Sequence, residues 1–392
     1  MKRKFCVFWG LILYLFSCFG EVNPAGRDAE NTPPPAQVSP ALSQVPEADF
    51  LTIIAAGDNL LHESIIQAAF RDGTYNFEPI YAGIRGLIEP ADIAFINQET
   101  PLAGERFGYS RGLTFNTPQV MGRTLADTGF DVVSHANNHA MDKGEAGLSA
   151  TLDLWDSLPA VQYLGIHRSR EQRDTRRVII EKNNIKVGFL AYTYGTNGIP
   201  LPRDKPYLVS LAQNEVIARE IKALRLLCDF LVISMHWGNE YDHGYNTAQQ
   251  AQAQFLADQG ADLIIGHHPH VLQTYQYLPR KDGKNTLCFY SLGNFLAAQD
   301  MPKTLLGGLA YIKIKKINSQ ISIERAAVIP TVTHFNAAYT GFRIYPLYDY
   351  TEALANTHGR KRPQYELSLS YFTALARRIL GEGIIEYNPF AP

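Results

Sequence analysis

The sequence predicts an α/β fold, and two observations predict it. From Asp49 onward, short aliphatic runs alternate with segments of amphipathic helical spacing. Nearly every aliphatic run also ends in a glycine or a polar cluster, as strands do when they open into loops. The expected architecture is a central pair of sheets flanked by helices over residues 49–340. Residues 341–392 are expected to form a C-terminal extension whose helix packs on that domain.

The N-terminus stands apart from this pattern. "MKRKFCVFWGLILYLFSC" (1–18) has a basic start and an apolar run of signal-peptide length, so it reads as an export signal. Its ending, "LFSC", resembles a bacterial lipobox in which Cys18 is acylated, placing the protein as a lipoprotein on the membrane of the cell envelope. A short uncleaved anchor over 5–19 is the competing reading. Residues 19–48 are rich in proline, alanine and polar residues, the composition of an extended, solvated tether.

In the body, "DFLTIIAAGD" (49–58) reads as a strand, "FEPIYAGIRGLIEPA" (77–91) as a helix and "DIAFINQET" (92–100) as a second strand with its exit loop. "GFDVVSHANNH" (129–139) repeats the pattern, with "GEAGLSATLDLWDSL" (144–158) as the helix behind it. Further strands are expected in "KVGFLAYT", "CDFLVISMHWG", "ADLIIGHHPH" and "TLCFYSLGNF". "GGLAYIKIKK" and "QISIERAAVIP" have the alternation of antiparallel strands, and "LSYFTALARRIL" that of a helix. Cys228 and Cys288, the cysteines of the body, both lie in apolar runs and are expected as buried thiols on core strands, with a disulfide between them left open. A net charge of −2 argues against a broad basic surface for nucleic acid.

The chemistry-bearing residues fall at strand exits: Asp58, Glu99, Asn138 with His139, His236, and His268 with His270. Each has an ordinary reading on its own: Asp58 as a turn or helix cap, Glu99 as a solvated loop end, His236 as a satisfied core imidazole. Five strand exits that all supply oxygen or imidazole donors are better explained jointly, by a shared metal centre.

Taken in order, "GDNLLH" (57–62), "NQETPL" (97–102), "HANNHAMDKGEAGL" (135–148), "MHWGNEY" (235–241), "GHHPHVLQ" (266–273) and "YSLGNF" (290–295) resemble the bacterial capsule-synthesis CapA (PGA_cap) family. The resemblance implies a four-layer α/β/β/α sandwich of the calcineurin-like metallophosphoesterase kind. It also implies two divalent metal ions (Mn, Fe or Zn), held by Asp58, Glu99 in a bridging place, Asn138, His236, His268 and His270. His139 takes the place of the histidine that assists the transition state. Two departures from the superfamily pattern follow. The nearest histidine to Asp58 is His62, four residues on, which joins the ligands if the two share the face of a helical turn. Ala140 follows His139 where an aspartate is usual, which leaves Asp142 to orient the imidazole. His267 is left out of the ligand set, because adjacent residues leaving a strand point to opposite sides; it is expected to pack under the loop or to hydrogen-bond a ligand.

The function implied is metal-dependent hydrolysis of a phosphoester, connected with poly-γ-glutamate capsule biosynthesis. The alternative is a non-catalytic accessory subunit that works with capsule-synthesis membrane proteins.

Overall fold

The structure, a computed structural model, describes residues 48–361 and 367–391. The export signal, the lipobox-like cysteine and most of the tether expected from the sequence lie outside the described residues. Among the described residues, no helix is long and apolar enough to cross a membrane.

Two sheets carry the fold. In the first, the strands run in the order Arg343–Pro346, Gln320–His334, Leu306–Ile317, Ala48–Asn59, Ile93–Gln98, Val132–Ser134 and Gln162–Leu164, and Asn294–Leu296 pairs with the end of Ala48–Asn59. In the second the order is Tyr275–Pro279, Asn285–Phe289, Leu263–His267, Phe230–His236, Ile185–Thr193 and Val178–Lys182. The middle strands of each sheet are parallel, so their C-terminal ends emerge together along one edge. The segments 306–317 and 320–334 form a long antiparallel ladder, as their alternation predicts.

Side-chain alternation explains why the second sheet is buried on both faces. Phe230 and Val232, Leu263 and Ile265, and Leu287 and Phe289 face the large core that they share with the first sheet. Leu231, Ile233, Met235, Ile264 and Cys288 face the other way. They pack against Ile217, Ile221 and Leu224 of the helix Asn214–Arg225 and against Ala253 and Leu256 of the helix Thr247–Gln259. On the first sheet's side, Met121 and Leu125 of the helix Val120–Thr128 and Leu148, Leu152 and Trp155 of the helix Gly144–Asp156 complete the large core. The layers are therefore helix, sheet, sheet, helix. The C-terminal helix Leu369–Leu380 buries Phe372, Leu375, Ala376 and Leu380 in the same core, and the backbones of Gly383 and Ile385 bond to Val328.

Two local expectations are corrected. The helix expected over 77–91 is two single turns, Glu78–Tyr81 and Arg85–Ile88. Between them Gly83 lies so close to the first sheet's edge that a Cβ there would stand 2.4 Å from the Ile344 carbonyl oxygen, so tertiary packing wins over helix continuity. Cys228 is half-buried in the turn that precedes Phe230–His236 rather than on a strand, whereas Cys288 is buried on Asn285–Phe289, and both are free thiols.

Candidate metal centre

The strand exits converge. Asp58 is the penultimate residue of Ala48–Asn59, Glu99 follows Ile93–Gln98, and Asn138 and His139 lie in the loop after Val132–Ser134. From the second sheet, His236 ends its strand, and His268 and His270 follow Leu263–His267. The approach is tight at Gly266, where a Cβ would sit 1.9 Å from the Tyr290 carbonyl oxygen, so only glycine fits. Beyond it the backbone turns through left-handed conformations at His268 (φ 97°) and His270 (φ 57°). Such conformations cost a non-glycine residue about 1–3 kcal/mol each and cluster at functional sites, where the surrounding structure enforces them.

The donors crowd one buried space. His236 Nε2 lies 3.4 Å and His270 Nε2 3.7 Å from Glu99 Oε1, and His270 Nδ1 is 3.4 Å from Asp58 Oδ2. His236 Nε2 also meets Asn138 Oδ1 at 2.8 Å. Asp58 accepts hydrogen bonds from Asn97 Nδ2 at 2.8 Å and from the His268 backbone N–H at 3.1 Å. Ligand atoms of Glu99, His236 and His268 lie within 4.8 Å of one another, as do those of Asp58, Glu99 and His270. Glu99 belongs to both groups.

The donor set fits a cation. Glu99 is 0 % exposed, yet neither of its carboxylate oxygens has a hydrogen-bond partner, and His236 Nδ1 and His268 Nδ1 are likewise buried without one. Buried polar atoms are almost always paired, so a bare buried carboxylate whose Oε1 faces two imidazoles marks a place for a positive charge. Burial pushes the Glu99 carboxyl well above its ordinary range. Burial likewise holds His236 well below the usual imidazole value and His268 down at about 3, so both rings are neutral and available as ligands. His270 is opposed by burial, but the Glu99 and Asp58 carboxylates outweigh it and push it up to about 9. Asp58 is also opposed by burial, and its contacts with His267 and His270 hold it well below the carboxylate range.

His139 stands beside this group. Its Nδ1 meets Asp142 Oδ2 at 2.9 Å, and Asp142 Oδ2 also accepts the Phe115 backbone N–H at 2.7 Å. The Phe115 ring packs edge-on against the imidazole at 4.6 Å. Asn197, in the loop after Ile185–Thr193, spans the two halves: its Oδ1 accepts from Asn138 Nδ2 at 3.1 Å and its Nδ2 lies 3.3 Å from His139 Nδ1.

His62 corrects an expectation. Asp58 is in a strand and His62 is the extended residue before the helix Glu63–Ala69, so the two do not share a helical face. The His62 Nδ1 lies 3.1 Å from the Leu60 carbonyl and 3.2 Å from the Ala298 N–H, one of which it bonds according to its tautomer, and His62 is absent from the metal-competent groups among the described residues. His267 is fully buried, stacked on Phe95 at 5.8 Å, with Nδ1 3.4 Å from Asp58 Oδ1. Sequence reasoning missed Asn97, Asn294 (whose Oδ1 lies 3.0 Å from His270 Nδ1), Asn197 and Glu240. Asn97, Asn294 and Glu240 stand inside the motifs "NQETPL", "YSLGNF" and "MHWGNEY", so their signal was present; Asn197 had none.

Known proteins share much of this chain. "PGA biosynthesis protein CapA" of Bacillus subtilis (strain 168) is 27% identical over 272 residues, covering 68% of this chain and 69% of that protein. "Capsule biosynthesis protein CapA" of Bacillus anthracis is 27% identical over 267 residues, covering 66% of this chain and 62% of that protein. Among solved structures, a 5'-nucleotidase precursor from Thermus thermophilus superposes with a TM-score of 0.46 and 15% identity over 72% of this chain and 54% of that one. Residues 52–299, which hold every donor described above, match the family described as "Bacterial capsule synthesis protein PGA_cap", and the chain belongs to that family.

Proposed function

We propose that this chain is a divalent-metal-dependent hydrolase of phosphoesters that serves capsule polymer biosynthesis from the cell envelope, to which the segment 1–18 anchors it. The observation that carries the hydrolase reading is Glu99, whose buried carboxylate has no hydrogen-bond partner and belongs to both groups of ligand atoms. Asp58, Glu99, Asn138, His236, His268 and His270 would hold the cations. Bound there, divalent ions supply Lewis acidity and neutralise charge at a phosphoryl centre, and the mixed nitrogen and oxygen donors favour Mn, Fe or Zn.

The remaining chemistry belongs to the chain itself. Asp142 accepts a hydrogen bond from His139 Nδ1–H, which fixes the tautomer and leaves Nε2 to exchange a proton with a leaving oxygen. Phe115 excludes water from one side of that imidazole. Asn197 Oδ1 accepts from Asn138 Nδ2, and its amide packs beside His139, so one side chain from an exit loop of the second sheet lies against both residues. Capsule polymer enters through the family: the B. subtilis relative is named for PGA biosynthesis, and that context is proposed for this chain.

The test uses the full chain, stripped of metal and reloaded with Mn²⁺, Fe²⁺ or Zn²⁺, on a p-nitrophenyl phosphomonoester and a bis-p-nitrophenyl phosphodiester. Turnover by the loaded protein is expected. It should be abolished in Glu99→Gln and reduced by about 10²–10⁴-fold in His139→Ala, with metal content unchanged in the latter. A wild-type chain that binds its cations and turns over neither ester refutes the hydrolase reading in favour of an accessory role in assembly.

A further inference from the structure

One carboxylate near the centre is not among the donors assigned to the cations. Glu240 lies four residues beyond His236, in the loop that leads to the helix Thr247–Gln259. A Glu240 carboxylate oxygen and ring nitrogens of His268 and His270 all lie within 4.8 Å of one another. Glu240 is exposed, whereas Asp58, Glu99, Asn138, His236, His268 and His270 are buried.

The surrounding structure enforces this approach. Trp237 anchors the loop on one side: its backbone N–H donates to the His267 carbonyl at 3.1 Å and its Nε1–H to the Tyr290 carbonyl at 2.9 Å. On the other side Tyr241 adopts a left-handed backbone (φ 65°), and its N–H donates to the carbonyl of Pro269, the residue between the two histidines, at 2.7 Å. Lys303 Nζ donates to the Tyr241 carbonyl at 2.6 Å. A loop that contains a strained residue and is held by three separate segments is costly to maintain for a side chain that only meets water. The second indication is His268, whose Nδ1 is buried without a hydrogen-bond partner.

We propose that Glu240 is a further ligand of the metal centre, reaching it beside His268 and His270 and closing from the solvent side a site that Glu99 and Asp58 close from within. The inference rests on the metal-dependent reading above. It adds a third carboxylate to the two buried ones, which lowers the uncompensated positive charge of a site holding two divalent ions. Because Glu240 alone among these donors faces water, it is the ligand that can swing away, admitting the ion and yielding its position to a substrate oxygen.

Full-chain wild type and Glu240→Gln, both stripped of metal, are titrated with Mn²⁺ for affinity and with Co²⁺ for the visible absorption that reports its ligand set. Glu240 is exposed, so the metal-free variant is expected to melt with the wild type. Wild type is expected to take up metal. Glu240→Gln should bind one cation at least about 10-fold more weakly, no less than the loss of a partner outside the ligand set costs, and should show an altered Co²⁺ spectrum. Unchanged affinity overturns the proposal while leaving the metal centre intact. Weakened affinity with an unchanged Co²⁺ spectrum also overturns it, since Glu240 would then act only as a remote charge. Failure of the folded wild type to take up either metal is a distinct result, which overturns the metal-dependent reading itself.

Discussion

Replacing His267 by alanine separates the residues that hold the cations from one that holds a ligand. The imidazole is 0 % exposed, with Nδ1 3.4 Å from Asp58 Oδ1 and its ring stacked on Phe95. After truncation Asp58 keeps three polar neighbours: Asn97 Nδ2 at 2.8 Å, the His268 N–H at 3.1 Å and His270 Nδ1 at 3.4 Å. One long charge-assisted contact and the packing of a small ring are lost, so the metal-free chain should lose about 2–4 kcal/mol of stability. Metal affinity should fall by about 10–100-fold, the cost of removing a partner that orients a ligand. Metal-to-protein ratios are measured under excess metal and again after dialysis, beside His268→Ala and His270→Ala. His267→Ala should reach full stoichiometry under excess metal and lose part of it on dialysis, while the other two variants fail under both conditions. Equal loss in all three under excess metal would refute the assignment of His268 and His270, rather than His267, to the cations.

Gly266→Ala places a methyl group 1.9 Å from the Tyr290 carbonyl oxygen, so the backbones must separate; thermal melting should show a loss above about 2 kcal/mol, and an unchanged melting temperature would show that the strands are not so close. Metal uptake at pH 7.5 should release about one proton or more, because His270, pushed up to about 9, must shed its proton to bind; calorimetry in buffers of different ionisation enthalpy reads that number, and affinity should rise with pH towards 9. His135 accepts the Trp155 Nε1–H at 2.8 Å, and burial holds it down at about 3. Its folded value lies below the unfolded one, so its contribution is complete above about pH 6.5 and is lost as pH falls from there towards 3. Denaturant melts should lose about 2 kcal/mol between pH 7 and pH 5 from this residue alone, and His135→Gln should remove that share of the slope.

What the sequence determined by itself was local. Aliphatic runs of strand length, ended by glycine or a polar cluster, located the central parallel strands and with them Asp58, Glu99, His236, His268 and His270, because a strand's exit is set by the residues that cannot continue it. What only the tertiary structure decided involves partners distant in the chain. Asn97 reaches Asp58 across 39 positions and the His268 backbone reaches it across 210, distances over which periodicity carries no information. Asp58 and His62 lie four apart, and that spacing means a shared face only on a helix; the strand places them otherwise. The left-handed turns at His268, His270 and Tyr241 sit where exit loops meet one another and Asp58, contacts that sequence does not express at non-glycine residues. Glu240 was legible as part of "MHWGNEY" but not as a neighbour of His268 and His270, since that requires the exit loops of two strands in the second sheet to fold over the same point.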